Sequence, residues 1–144
     1  MTLEEERRHL AEGAGDEIPP PALDARTVEC PGGAVRALGR VRDVLGLVLT
    51  HQQGAWPGVD EWKARLPTWF VEACVDDREV QVCVLDRWSL RAWLHWMQPD
   101  QRQWRWWDAS AADGTHLRVR VLPLAEPYLR GSLDWLLTVA GLPA

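Results

Sequence analysis

The chain has little of what most known activities are built from. Among its 144 residues there are one Phe, one Tyr, two Met and three Cys. The thiols, Cys30, Cys74 and Cys83, are odd in number and lack any close-paired spacing, which argues against a disulfide framework and leaves reduced thiols as the simplest account. No apolar run approaches the roughly 20 residues of a membrane-spanning helix. The longest, Val44 to Leu49, is interrupted by Gly46 and followed by Thr50-His51-Gln52. The opening Met1-Thr2-Leu3-Glu4-Glu5-Glu6-Arg7-Arg8 is polar and acidic, without the basic and then apolar stretch of a secretion signal, so the expected location is cytoplasmic, with no membrane partner. Lysine is almost absent, Lys63 being the only one among sixteen basic residues, and the net charge is -5. A phosphate backbone requires cationic neutralisation, so this balance disfavours nucleic acid, while it suits encounter with a basic protein.

Catalytic signatures are missing as well. The chain has no Gly-x-Ser-x-Gly elbow, no Gly-x-x-x-x-Gly-Lys phosphate loop and no Gly-x-Gly-x-x-Gly after a strand. Cys74, Cys83, His95 and His116 are the only residues that could form a zinc set, and their spacing matches no zinc pattern, so neither metal nor cofactor is expected. Cys74 with His95 or His116 as its base is the one thiol-nucleophile arrangement to test, although nothing in the spacing fixes it. Asp76-Asp77 read as solvated turn charges.

What the chain does have is tryptophan, ten residues of it. An indole can bury a large ring but needs a partner for its N–H, so the set serves either a core or a recognition surface. Residues Thr2 to Glu12 read as a short charged helix, followed by a Gly/Pro-rich stretch that cannot continue it. The expected organisation is therefore an N-terminal arm and linker over 1–33 and one domain over 34–144. Val35, Leu38, Val41, Leu45 and Val48 recur at helical spacing, with 44–50 readable as either helix or buried strand. Short helices are expected over Asp60–Leu66 and from Thr68. Val80, Val82 and Val84 alternate as in a strand, and Ser89 or Asp86 caps a helix from Leu90 to Met97. A hairpin turns at Asp113-Gly114, and a last helix capped by Ser132 ends at Gly141. The fold class is α+β: a small, about three-stranded, largely antiparallel sheet with helices packed on it, preceded by an N-terminal helical segment.

Leu66-Pro67-Thr68-Trp69-Phe70-Val71, then Trp88-Ser89-Leu90 with Trp93-Leu94 and Trp96, then Trp104-Arg105-Trp106-Trp107-Asp108-Ala109, and Trp135-Leu136-Leu137 with Ala140-Gly141, together resemble a group of uncharacterised small Trp-rich proteins of high-GC bacteria. The resemblance spans about the C-terminal three-fifths of the chain, in the size range of one domain. It implies a bacterial cytosolic protein and, since the group has no known activity, transfers no site residue. The preference for Arg over Lys agrees with a GC-rich genome.

The hairpin of residues 103–122 is the candidate site. Alternation puts Trp104 and Trp106 on one face and Arg105 and Trp107 on the other, with Arg118 and Arg120 opposite the aliphatic row Leu117, Val119 and Val121. Trp and Arg are enriched at binding hot spots. The candidate binding residues are Arg105, Trp107, Arg118, Arg120 and, on the second side of the last helix, Trp135. The leading expectation is a non-catalytic protein-binding domain, in one form an immunity-type or antitoxin-like inhibitor of a bacterial protein. The alternative is a small-molecule or nucleic-acid binder that stacks ligands on the hairpin's Trp/Arg face, and the same arginines could instead lie over indole rings within the domain.

Overall fold

A computed structural model describes residues 1–75 and 87–143. The elements run α1 (Leu3–Glu12), β1 (Asp24–Glu29), α2 (Ala34–Thr50), α3 (Val59–Arg65), α4 (Thr68–Ala73), α5 (Leu90–Met97), β2 (Trp104–Asp113), β3 (His116–Pro123) and α6 (Gly131–Ala140). The three strands form one antiparallel sheet in the order β1-β3-β2. The α+β class with an N-terminal helix is as expected, but the sheet's third strand is β1. The expected strand at 80–84 lies outside the described residues, as do Cys83, Asp76-Asp77 and Asp86.

α2 is one continuous helix through Gly46, which resolves the ambiguity at 44–50 in favour of helix. Its buried stripe is Ala34, Ala37, Val41, Val44, Leu45, Val48 and Leu49, whereas Val35 is 76% exposed. At its start the buried stripe therefore runs one position ahead of the expected apolar period. α2 packs on the inner face of the sheet against β2 and β3, and α6 lies against α2 and β1, with Leu117, Val119 and Val121 of β3 in the same core. α6 is buried on both sides: Leu133, Leu136 and Leu137 on one, Trp135 and Val139 on the other. Ser132 is not its cap. The helix begins at Gly131, and Ser132 instead accepts two indole N–H groups, Trp93 on its carbonyl at 3.0 Å and Trp104 on its hydroxyl at 3.3 Å.

No tryptophan is exposed. Trp62, Trp93, Trp104, Trp106, Trp107 and Trp135 are buried and the other four are half-buried. Rings meet in short series: Trp62–His51 and Trp69–Phe70–Trp93 edge-on, the geometry that aligns the positive ring edge with a neighbour's negative face, and Trp56 tilted at 52° on Trp62. Two arginines lie over indoles, Arg40 over Trp69 and Arg102 over Trp104. Neither belongs to the outer arginines of the hairpin.

Residues 1–33, expected as arm and linker, are instead built into this body. α1 opens with a capping box, Thr2 accepting from the Glu5 N–H while Glu5 accepts from the Thr2 N–H, and stops at Gly13, whose φ of 84° suits a residue without Cβ. Its buried face carries Glu6, His9 and Leu10, so an apolar period could not reveal it. Glu6 is fully buried and meets Arg102 in a two-pronged pair, at 2.6 and 2.8 Å. The same carboxylate accepts the Trp106 backbone N–H at 2.7 Å. Arg102 spends its remaining donors on the Trp104 carbonyl and on Gln52, whose amide in turn donates to the Met97 carbonyl. Every strong donor in this knot has an acceptor, the condition under which two charges can be held out of water.

Removing one partner leaves the other charge stranded. Glu6→Ala should lower unfolding stability by about 3–5 kcal/mol in urea denaturation. The double replacement Glu6→Leu with Arg102→Met should cost less than that single change, and a larger loss for the double variant would show that the pair contributes more than its own desolvation cost.

Candidate recognition surface

The hairpin closes at Asp113-Gly114-Thr115-His116. The Asp113 carboxylate accepts from the Thr115 N–H at 2.8 Å and the Thr115 hydroxyl at 3.1 Å, and the His116 ring sits 3.0 Å away. An aspartate side chain that folds back onto the chain in this way stabilises the reversal. From there the β2–β3 register shifts once between Asp113 and Ser110 and again at a bulge, where Trp106 stands opposite Val121 but Asp108 opposite Arg120. Trp107 is the extra residue.

That bulge redirects the face. Simple alternation would put Trp107 outward beside Arg105, but an inserted residue bends the strand and re-aims its side chain. The Trp107 ring lies edge-on to His9 of α1, with centroids 4.5 Å apart, and is only 7% exposed. Its carbonyl oxygen is 2.9 Å from His9 Nδ1; because a carbonyl only accepts, that nitrogen carries the proton. His9 Nε2 meets Glu17, which Arg8 also holds, at 2.7 Å. Burial opposes ionisation of Glu17, but the hydrogen bond from Arg8 and the charge of His9 outweigh it and lower its pKa.

Beyond the bulge the outer face of the sheet is polar and carries no helix among the described residues. Three rows cross it: Ala25–Arg120–Asp108, Thr27–Arg118–Ser110 and Glu29–His116–Asp113. Arg120 forks onto Asp108, with its Nε at 2.7 Å. Arg105 reaches back toward Glu6 at 3.5 Å. Arg118 stands exposed at the centre, between the short side chains of Thr27 and Ser110, and makes no ion pair among the described residues. Of the five candidates, the structure thus brings Arg105, Arg118 and Arg120 onto one surface. It separates from them Trp107, under α1, and Trp135, 9% exposed on α6.

Two of the cavities among the described residues lie beside β1 and α6. One, of about 630 Å³, opens where β1 begins and is lined by Leu23, Asp24, Glu126, Pro127, Tyr128 and Arg130 among others. Tyr128 donates its hydroxyl to Asp24; burial, followed by that hydrogen bond and the carboxylate charge, pushes the phenol up to about 12. The other, of about 240 Å³, is mainly apolar and sits between Trp88, Trp96 and Leu129 at the start of α6. The edge residues of β1 and the Asp24–Tyr128 contact carried no signal in the sequence, since 1–33 read as linker.

The thiol-nucleophile arrangement gains no support. A nucleophilic cysteine needs a depressed pKa, whereas burial pushes Cys74 up to about 11 and its thiol donates to the Phe70 carbonyl at 3.4 Å. Cys30 is raised by burial too. Among the described residues no group of three or more His, Cys, Asp or Glu could hold a metal ion, and no helix is long and apolar enough to cross a membrane. No family model, curated protein or solved structure matches the chain.

Two measurements follow from this chemistry. Iodoacetamide at neutral pH, read by peptide mapping, should leave Cys74 and Cys30 largely unmodified in the folded protein, and rapid alkylation of Cys74 would reinstate it as a nucleophile. The hydrogen bonds from the Thr115 N–H and His116 hold Asp113 at about 2 against an ordinary 3.8. A depressed carboxylate stabilises the fold above its unfolded pKa and loses that contribution as the proton returns. The difference in Tm between the natural protein and Asp113→Ala should therefore be constant above about pH 4 and shrink toward pH 2.

Proposed function

We propose that the chain is a non-catalytic protein-binding domain of the bacterial cytoplasm, one concrete form of which is an immunity-type or antitoxin-like inhibitor of a bacterial protein. The observation that supports this reading is the open outer face of the sheet, where Arg118 lies exposed among Ala25, Thr27 and Ser110 while the neighbouring arginines are held in place by Asp108 and Glu6. Short neighbours leave this guanidinium accessible on a rigid sheet, and arginine is enriched at binding hot spots, so a partner's acceptors can reach it and offset the entropy of ordering its stem. The acidic net charge adds to encounter rate with a basic partner. The inhibitor form rests on analogy with small acidic bacterial proteins that lack catalytic signatures.

The stacking alternative has less support. A base or sugar needs an exposed aromatic face, and the outer face presents no indole once Trp107 has turned under α1.

Affinity purification of the tagged protein from its native host should yield one stoichiometric partner. Arg118→Glu, an exposed change that leaves Tm unaltered, should abolish its recovery. Recovery of the same partner at the same level by Arg118→Glu would remove the outer face from the account, and a partner-free purification would remove protein binding itself.

A further inference from the structure

The sheet has two edges, and the fold treats them differently. Along β2, the Glu6 carboxylate takes the Trp106 N–H, His9 donates to the Trp107 carbonyl, and the bulge at Trp107 twists the strand away. Each is a recognised way of closing an edge to a further strand. Among the described residues, β1 has none of them. Its register with β3 is unbroken over Asp24–Glu29, and the segment Asp-Ala-Arg-Thr-Val-Glu holds no proline, lysine or bulge.

Which backbone groups β1 leaves free follows from one bond. The Cys30 N–H donates to the Thr115 carbonyl at 2.6 Å, so even-numbered residues turn their polar groups toward β3. Antiparallel pairs alternate, so Leu23, Ala25, Thr27 and Glu29 turn theirs away from the sheet. At Glu29 the edge is closed, because Gly141 approaches so tightly that a Cβ there would stand 3.0 Å from the Glu29 oxygen. Ala25 and Thr27 are exposed, and no backbone bond outside the β1–β3 ladder involves them among the described residues. An open length of about two pairing positions therefore runs from Thr27 toward Leu23, where it meets the cavity of about 630 Å³.

The charge around this edge is unequal. Asp24, Glu29, Glu126 and Asp134 stand against the exposed Arg118, one strand in and opposite Thr27, and against two arginines at the edge, Arg26 and Arg130. Both edge arginines are already turned to carboxylates, Arg26 to Asp134 at 3.0 Å and Arg130 to Asp134 at 3.7 Å and Asp24 at 4.0 Å. Glu126 is exposed on the cavity wall. A second copy of β1 would bring the same acidic surplus against itself, so the edge is matched to a segment of opposite charge.

We propose that the open edge of β1 accepts an extended, lysine- or arginine-bearing segment of a partner protein as a fourth strand. Backbone bonds form at Ala25 and Thr27, and one cationic side chain enters the cavity beside Asp24, Glu126 and the Tyr128 ring. Main-chain pairing supplies affinity in this mode, and the pocket at the strand's end supplies selectivity. The inference rests on the protein-binding reading and names the partner's chemistry, while its test does not need the native partner.

The probe is a pair of capped seven-residue peptides added to the uniformly ¹⁵N-labelled full chain: Thr-Lys-Val-Thr-Arg-Val-Lys, and the same sequence with Glu at each cationic position. At millimolar concentration the cationic peptide should slow amide exchange at Ala25 and Thr27 by roughly tenfold, leave Trp106 unchanged, and be without effect when its charges are reversed. Glu126→Lys, at an exposed position, should weaken the cationic peptide by roughly fivefold. Unchanged exchange at both amides, or equal protection by the acidic peptide, would overturn the proposal even if a native partner is captured through Arg118. Protection that rises with protein concentration alone, with a dimer mass by light scattering, would overturn it in favour of a second copy of this chain.

Discussion

A carboxylate and a guanidinium held out of water organise this molecule. Glu6 and Arg102 face each other with the Trp106 amide, the Trp104 carbonyl and the Gln52 side chain filling the remaining valences. Through them the pair ties four stretches of chain together: the N-terminal helix, the exit of α2, the segment after α5, and the first turn of β2. Apolar contacts could join the same pieces with less desolvation, but they would accept many relative positions. A forked pair accepts few, and so it sets where α1 lies along the sheet.

Aromatic packing then depends on that placement. With α1 against β2, the bulge can turn Trp107 inward onto His9. On the other side of the sheet, Ser132 gathers the N–H groups of Trp93 and Trp104, which seats the start of α6 beneath β2. The indoles thus collect on the inner face and beside α1. What remains outside is a polar, arginine-bearing surface made of short side chains and ion pairs, and rigidity is exported to it from the core it does not touch.

How much of this could be read from the residues depends on what kind of signal each element uses. α2, α5 and the hairpin follow apolar period, a serine cap and an Asp-Gly turn, and these are local, so their expected positions hold within a few residues. α6 is legible except for its start, because Ser132 looks like a cap and is used as an indole acceptor. β1 and the docking of α1 were not legible. Asp24–Glu29 alternates only weakly and sits between proline- and glycine-rich stretches, and the buried face of α1 is Glu6 and His9, residue types that read as solvated. Their burial is decided by groups about a hundred positions away. The same holds for the site: Arg105, Arg118 and Arg120 share a face as alternation requires, but a single inserted residue, visible only as a register shift, takes Trp107 from it.

The separation between interacting segments bears on how the chain reaches its native state. Glu6 meets Arg102 across 96 positions, and Asp24 pairs with Val121. Until the hairpin exists, α1 has nothing to bury its carboxylate against and β1 has no strand beside it. Helical and hairpin contacts can form early, since they close short loops, but the two N-terminal elements must wait for a large closure to be completed. During synthesis this leaves the first part of the chain without its partners until residues 102–121 have left the ribosome, so its native contacts are among the last to be made.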